Sequence, residues 1–119
     1  MADPYRKQIT DRKLARLLKV IETLRVLDTE MPAQLLSTFL YVASHDGCHK
    51  PALTEDLDFT DASSSRCTDW LTSNHRIKGK EGLGLITKEV DPTNRRRTIL
   101  SLTPMGKLLA QQLRDILYD

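Results

Sequence analysis

Apolar residues recur in helical rhythm along most of the chain and alternate in strand rhythm over one stretch near its end. Leu14, Leu17, Ile21 and Leu24 follow one another at spacings of three, four and three, which predicts a helix from about Asp11 to Leu27. Leu18 and Leu27 widen that stripe, and Asp11 is placed to cap the helix start. So narrow an apolar face must pack on something. A neighbour within the domain and a helix of a second copy satisfy it equally well. A second helix starts at Met31-Pro32, with the proline in the first turn, where its missing N–H costs nothing. Leu35, Leu36, Phe39, Leu40 and Val42 make this the core helix, ending near Asp46-Gly47.

After a short loop from His45 to His49, Pro51 opens a third helix carrying Leu53 and Leu57. Thr60-Asp61 caps a fourth, from about Ala62 to Ser73, which begins with Ser63, Ser64 and Ser65 in succession. Serine costs a helix roughly a few tenths of a kcal/mol relative to alanine. Three in a row suit a small polar face that approaches a nucleic acid closely, although a merely solvated helix start has the same composition. Asn74 to Gly84 is polar and glycine-punctuated and reads as a loop. Leu85–Val90 and Thr98–Leu102 read as strands joined by the turn Asp91-Pro92-Thr93-Asn94. Thr103 caps a last helix with Pro104 at its first position, and Met105, Leu108, Leu109, Gln112, Leu113 and Ile116 line one face of it. Two short helices followed by a hairpin describe a winged helix-turn-helix, mainly α with a β-hairpin wing.

Length and composition agree with one domain. The chain has 119 residues, 39% of them hydrophobic, which supports a single core. The expected division is a basic dimerisation helix in residues 1–30, the winged helix-turn-helix in 31–103, and a C-terminal dimerisation helix in 104–119. No apolar run is long enough to span a membrane and the first residues lack the apolar core of an export signal, so a cytoplasmic protein without a membrane partner is expected. The net charge of +2 says little; its distribution says more. Arg6, Lys7, Arg12, Lys13, Arg16, Lys19 and Arg25 meet only Asp11 and Glu22 in the first stretch. Arg76, Lys78, Lys80, Lys88 and Arg95-Arg96-Arg97 form a second basic cluster, and Glu55, Asp56, Asp58, Asp61 and Asp69 make an acidic middle. Basic ends flanking an acidic centre suit a surface that grips phosphates at its edges, though solvated faces carry such runs too.

The hairpin carries the most specific signal. Asp91-Pro92-Thr93-Asn94-Arg95-Arg96-Arg97, then Thr98-Ile99-Leu100-Ser101, then Leu102-Thr103-Pro104-Met105-Gly106 resembles the wing signature of the MarR family of transcriptional regulators. Asn94 stands where that signature has a second aspartate. The resemblance extends more weakly to Phe59–Leu71, as the recognition helix, and to Gly84-Leu85-Ile86, as the start of the wing strand. Ser64 departs from it by occupying a position where the family prefers an apolar residue, and the stretch from Leu71 to Gly84 is longer than usual.

The resemblance implies a homodimer that binds double-stranded DNA and regulates transcription. Ser63, Ser64, Ser65, Arg66, Lys88, Arg95, Arg96 and Arg97 are the DNA-binding candidates. On a regular strand Arg95 and Arg97 point one way and Arg96 the other, so one side can serve DNA while the other pairs with Asp91. Dimerisation would rest on the Leu14-Leu17-Ile21-Leu24 seam together with the last helix. A small-molecule effector fits the family, but no residue here identifies one. A winged-helix module for protein–protein contact is the alternative, favoured by the acidic residues around the third and fourth helices.

Other chemistry has less support. His45, Cys48, His49, Cys67 and His75 have no familiar zinc-ligand spacing, so no metal or cofactor is expected. Cys67 falls at an apolar helical position, where a buried structural thiol fits better than a redox sensor, and two thiols without an export signal are expected to stay reduced. Trp70 and Tyr41 read as packing residues. With no nucleophile elbow, phosphate loop or carboxylate pair, the chain is not expected to be an enzyme.

Overall fold

The computed structural model describes residues 8–73 and 81–118. Its first helix, α1 (Arg12–Arg25), starts where a carboxylate satisfies free backbone donors: Asp11 Oδ1 accepts the N–H groups of Lys13 and Leu14 at 3.1 Å each. Val20 and Leu24 bury this helix against the last one, whereas Leu14, Leu17 and Leu18 stay exposed. The seam predicted by the spacing is therefore divided, with only part of it used inside the domain. In α2 (Ala33–Ser44), Pro32 is the cap rather than the first helical residue. Its backbone is extended, and its carbonyl accepts from Leu35 and Leu36. Leu35, Phe39 and Val42 of α2 are fully buried and form the centre of the core.

A two-residue strand, β1 (Cys48–His49), leads into α3 (Lys50–Asp56), with Pro51 in its first turn. The helix α4 (Asp61–Leu71) is capped by Thr60, whose Oγ1 accepts from the Ser63 N–H at 3.1 Å. It ends at Leu71, two residues earlier than the pattern predicts, because Thr72 turns extended. The hairpin strands β2 (Ile86–Asp91) and β3 (Asn94–Leu102) follow, and α5 (Pro104–Tyr118) closes the described chain.

The sheet is antiparallel in the order β1-β3-β2. Nothing in the sequence pattern predicts β1. It pairs Cys48 with Leu100 and His49 with Ile99, which ties the start of α3 to the base of the wing. Ile86, Leu100 and Leu102 send the sheet's apolar side into the core beside Leu53, Leu71 and Leu85.

The junction of wing and α5 explains the Leu-Thr-x-x-Gly motif. Thr103 Oγ1 donates to the Gly84 carbonyl at 2.7 Å and accepts from the Gly106 N–H at 3.1 Å, while the Thr103 N–H donates to the Leu85 carbonyl. A Cβ on Gly106 would sit 2.1 Å from that same Leu85 oxygen, so only glycine allows α5 to lie this close to the start of β2. Gly84 adopts a φ of 68°, a conformation other residues rarely take.

Candidate nucleic-acid interface

The helix phase of α4 decides which of its candidates can face a ligand. Ser64, Cys67, Thr68 and Leu71 fall on the core side and are buried, Ser63 and Ser65 are half-buried, and Arg66 is exposed. Ser64, fully buried, is thus removed from the DNA-binding candidates. Its Oγ accepts from Thr54 Oγ1 at 2.8 Å, and its carbonyl accepts from Thr68 Oγ1 at 2.7 Å. The family's apolar position is filled here by a hydroxyl whose partner comes from α3.

Ser65 and Arg66 border the solvent. Lys50 Nζ donates to Ser65 Oγ at 2.6 Å, placing a cation from the start of α3 beside the exposed edge of α4. Arg66 Nη2 reaches Gln34 Oε1 at 3.4 Å and Ser63 Oγ at 3.5 Å, contacts too long to hold it firmly. Neither Lys50 nor Gln34 carries a signal in the sequence, because both reach α4 from elements distant along the chain.

The wing tip departs from a regular hairpin. Pairing steps from Val90–Thr98 directly to Asp91–Asn94, so Arg95, Arg96 and Arg97 have no opposite residue on β2. The bulge sets three consecutive exposed arginines near the end of the hairpin. Asp91 does not pair with any of them. Its Oδ1 accepts from the Thr93 N–H at 2.8 Å and Thr93 Oγ1 at 2.7 Å, and its Oδ2 lies 2.9 Å from His49 Nε2. These bonds, with those from Thr93 foremost, pull the Asp91 carboxyl down to about 2. Asn94 takes over at the tip itself, its Oδ1 accepting from the Arg96 N–H at 3.1 Å. At the position of the signature's second aspartate, a side-chain amide oxygen thus takes a backbone N–H rather than an arginine side chain.

Arg96 and Thr98 border an open groove of about 470 Å³ over α3, shared with Lys50, Thr54, Glu55 and Asp61. Cations and carboxylates line it together. Lys88, the remaining candidate, forms an ion pair with Asp69 of α4, both side chains about three-quarters covered. It braces β2 against α4, and its charge is compensated there.

The thiols sit away from this surface. Burial pushes both up from their ordinary value, and neither is in a disulfide. Tyr41 stacks on His45 with ring centroids 4.2 Å apart and donates to Asp56 Oδ2 at 2.6 Å, which raises its hydroxyl to about 12. Trp70 packs partly buried against the core. Among the described residues no group of three or more His, Cys, Asp or Glu is placed to hold a metal; His75, Arg76, Lys78 and Lys80 lie outside them.

No family model matches the chain, and no curated protein does. Solved structures do. A MarR transcriptional regulator from Methanosarcina mazei Go1 is 15% identical, with a TM-score of 0.64 over 88% of this chain and 68% of that one. The S. aureus MepR–DNA complex is 21% identical, with a TM-score of 0.66 over 88% of this chain and 79% of that one. The PcaV transcriptional regulator from Streptomyces coelicolor is 19% identical, with a TM-score of 0.60 over 88% and 73%. The chain has the MarR-type winged-helix fold. In it α3 and α4 are the helix-turn-helix and β2–β3 the wing, as the hairpin signature implies. No helix among the described residues is long and apolar enough to cross a membrane.

Proposed function

We propose that this protein is a sequence-specific, double-stranded-DNA-binding transcriptional regulator that acts as a homodimer. The carrying observation is the bulged wing, which holds three exposed arginines on the same scaffold that exposes Arg66 beside the half-buried Ser63 and Ser65 of α4. An α-helix of this size fits a major groove, and guanidinium groups beside it suit phosphates and a narrow minor groove. That a protein of this fold, MepR, has been solved with DNA supports the reading.

The dimer is supported by the side chains that the fold leaves uncovered. Leu14, Leu17 and Leu18 of α1 and Met105, Leu108 and Leu117 of α5 are all exposed, a concentration of apolar surface that a second copy would bury. Two recognition helices related by a two-fold axis would read half-sites about 34–36 Å apart. Selection of bound sequences from a random duplex library is the test. An inverted repeat with that spacing is the expected result; no retained duplex at low salt would overturn the proposal.

One observation favours a second reading, a winged-helix module that docks on another protein. Glu55, Asp58 and Asp61 line the groove beside Arg96, and Asp69 compensates Lys88, so part of this face repels phosphate.

A further inference from the structure

The proposed reading uses the basic cluster at the wing and leaves the one on α1 without a role. At helical spacing, Arg12, Arg16 and Lys19 share one side of α1, away from Leu14 and Leu18. With Ile9, Ala15 and Ile116 they line an open groove of about 320 Å³ between α1 and the end of α5. Among the described residues no carboxylate forms an ion pair with any of the three. Glu22, the acidic residue within the helix, is held by Arg25 at 2.7 Å.

Folding alone does not account for this arrangement. Beyond the Asp11 cap, whose Oδ1 is taken up by backbone N–H groups, the first turn of α1 contains Arg12 and Lys13 and no acidic residue, so positive charge meets the positive end of the helix dipole. Arg12 and Arg16, four apart, repel each other, and so do Arg16 and Lys19, three apart. Such a stripe works against its own helix unless something anionic neutralises it.

We infer that Arg12, Arg16 and Lys19 form a second phosphate-contacting surface, which takes the backbone of a nucleic-acid duplex outside the α4–wing face. The three cations span about 10 Å of helix. Successive phosphates of one DNA strand rise about 3.4 Å along the axis while turning around it, so the stripe is long enough to lie against more than one of them. A lipid surface fits less well. A helix lying on a bilayer sinks its apolar side, and on α1 that side, Leu14, Leu17 and Leu18, is the one the proposed dimer covers. The inference rests on the proposed duplex binding, but not on which residues of α4 and the wing carry it.

The test is an anisotropy titration of the full chain against a labelled random-sequence duplex over a series of salt concentrations. The variant Arg12→Gln/Arg16→Gln/Lys19→Gln should bind more weakly, with its log–log salt slope reduced by about 0.9 for each phosphate that it no longer neutralises. Its melting temperature should be no lower than the parent's, because the removed charges oppose the helix dipole. The charge-conserving Arg12→Lys/Arg16→Lys variant should retain the slope. If the triple variant does not fold, Arg16→Gln alone should lower the slope by about 0.9. Unchanged affinity and slope overturn the inference. So does binding to phosphatidylserine vesicles that disappears in the triple variant while duplex binding persists. Weaker binding in Arg95→Ala/Arg96→Ala/Arg97→Ala, with affinity unchanged in the α1 variant, defeats this inference and leaves the proposed function standing; the reverse pattern keeps the α1 surface and removes the wing.

Discussion

Three consecutive serines at the start of α4 have three environments, and each implies its own phenotype. Ser64 is fully buried and bonded to Thr54, Ser65 is bonded to Lys50, and Ser63 lies at the edge near Arg66. Thr54 Oγ1 keeps a second acceptor in the Lys50 carbonyl, so Ser64→Ala should cost only about 1 kcal/mol of stability and leave duplex affinity unchanged. Ser65→Ala should do the opposite, weakening duplex binding with little change in stability. Urea unfolding and duplex titration of both variants check this, and the reversed pattern would mean that α4 is rotated from the phase described. In the sequence only the resemblance points to the burial of Ser64, through the apolar residue the family prefers at that position. Serine carries no apolar signal, and the phase of an eleven-residue helix with few apolar positions is weakly marked. The caps at Asp11, Thr60 and Thr103 are legible because a cap is a contact within three residues.

At the scale of elements, the hairpin and the helices follow from local pattern, whereas what fastens them to one another does not. The strand β1 is two residues long, shows no period, and finds its partners about fifty positions downstream. Separation along the chain also hides the pairs His49–Asp91 and Lys88–Asp69, although each joins the wing to the helix-turn-helix. The sequence suggests a wing arginine, the nearest cation, as the partner of Asp91. The structure gives it Thr93 and His49 instead, because the bulge carries the arginines past it. Those bonds hold its carboxyl at about 2, against an ordinary 3.8. As pH falls, the unfolded chain takes up this proton first. The stability that ionised Asp91 supplies is therefore complete above about pH 4 and is lost as pH falls through about 2. The acid limb of the urea midpoint should accordingly be shallower in Asp91→Asn than in the parent. Parallel limbs in the two proteins would show that Asp91 does not fasten the wing.

For the whole molecule, the fold is legible from one signature and the two short helices before it, and the structural likenesses bear it out at 15 to 21% identity. The candidate surface is legible in part. Arg66 and the wing arginines are exposed as expected, Ser64 is not, and Lys88 is compensated. The apolar seam of α1 admits two partners by its spacing, and the fold uses only part of it. Leu24 of the seam serves the domain's own core with Val20 beside it, while Leu14 and Leu17 stay exposed, where the proposed second copy would cover them. The account stands or falls on whether charge at the wing tip engages phosphate. The most direct measurement is the salt dependence of duplex affinity for the parent and for Arg95→Ala/Arg96→Ala/Arg97→Ala. The variant should bind more weakly, with a log–log slope smaller by about 0.9 for each phosphate that the wing neutralises in the parent. An affinity and slope equal to the parent's would contradict the account.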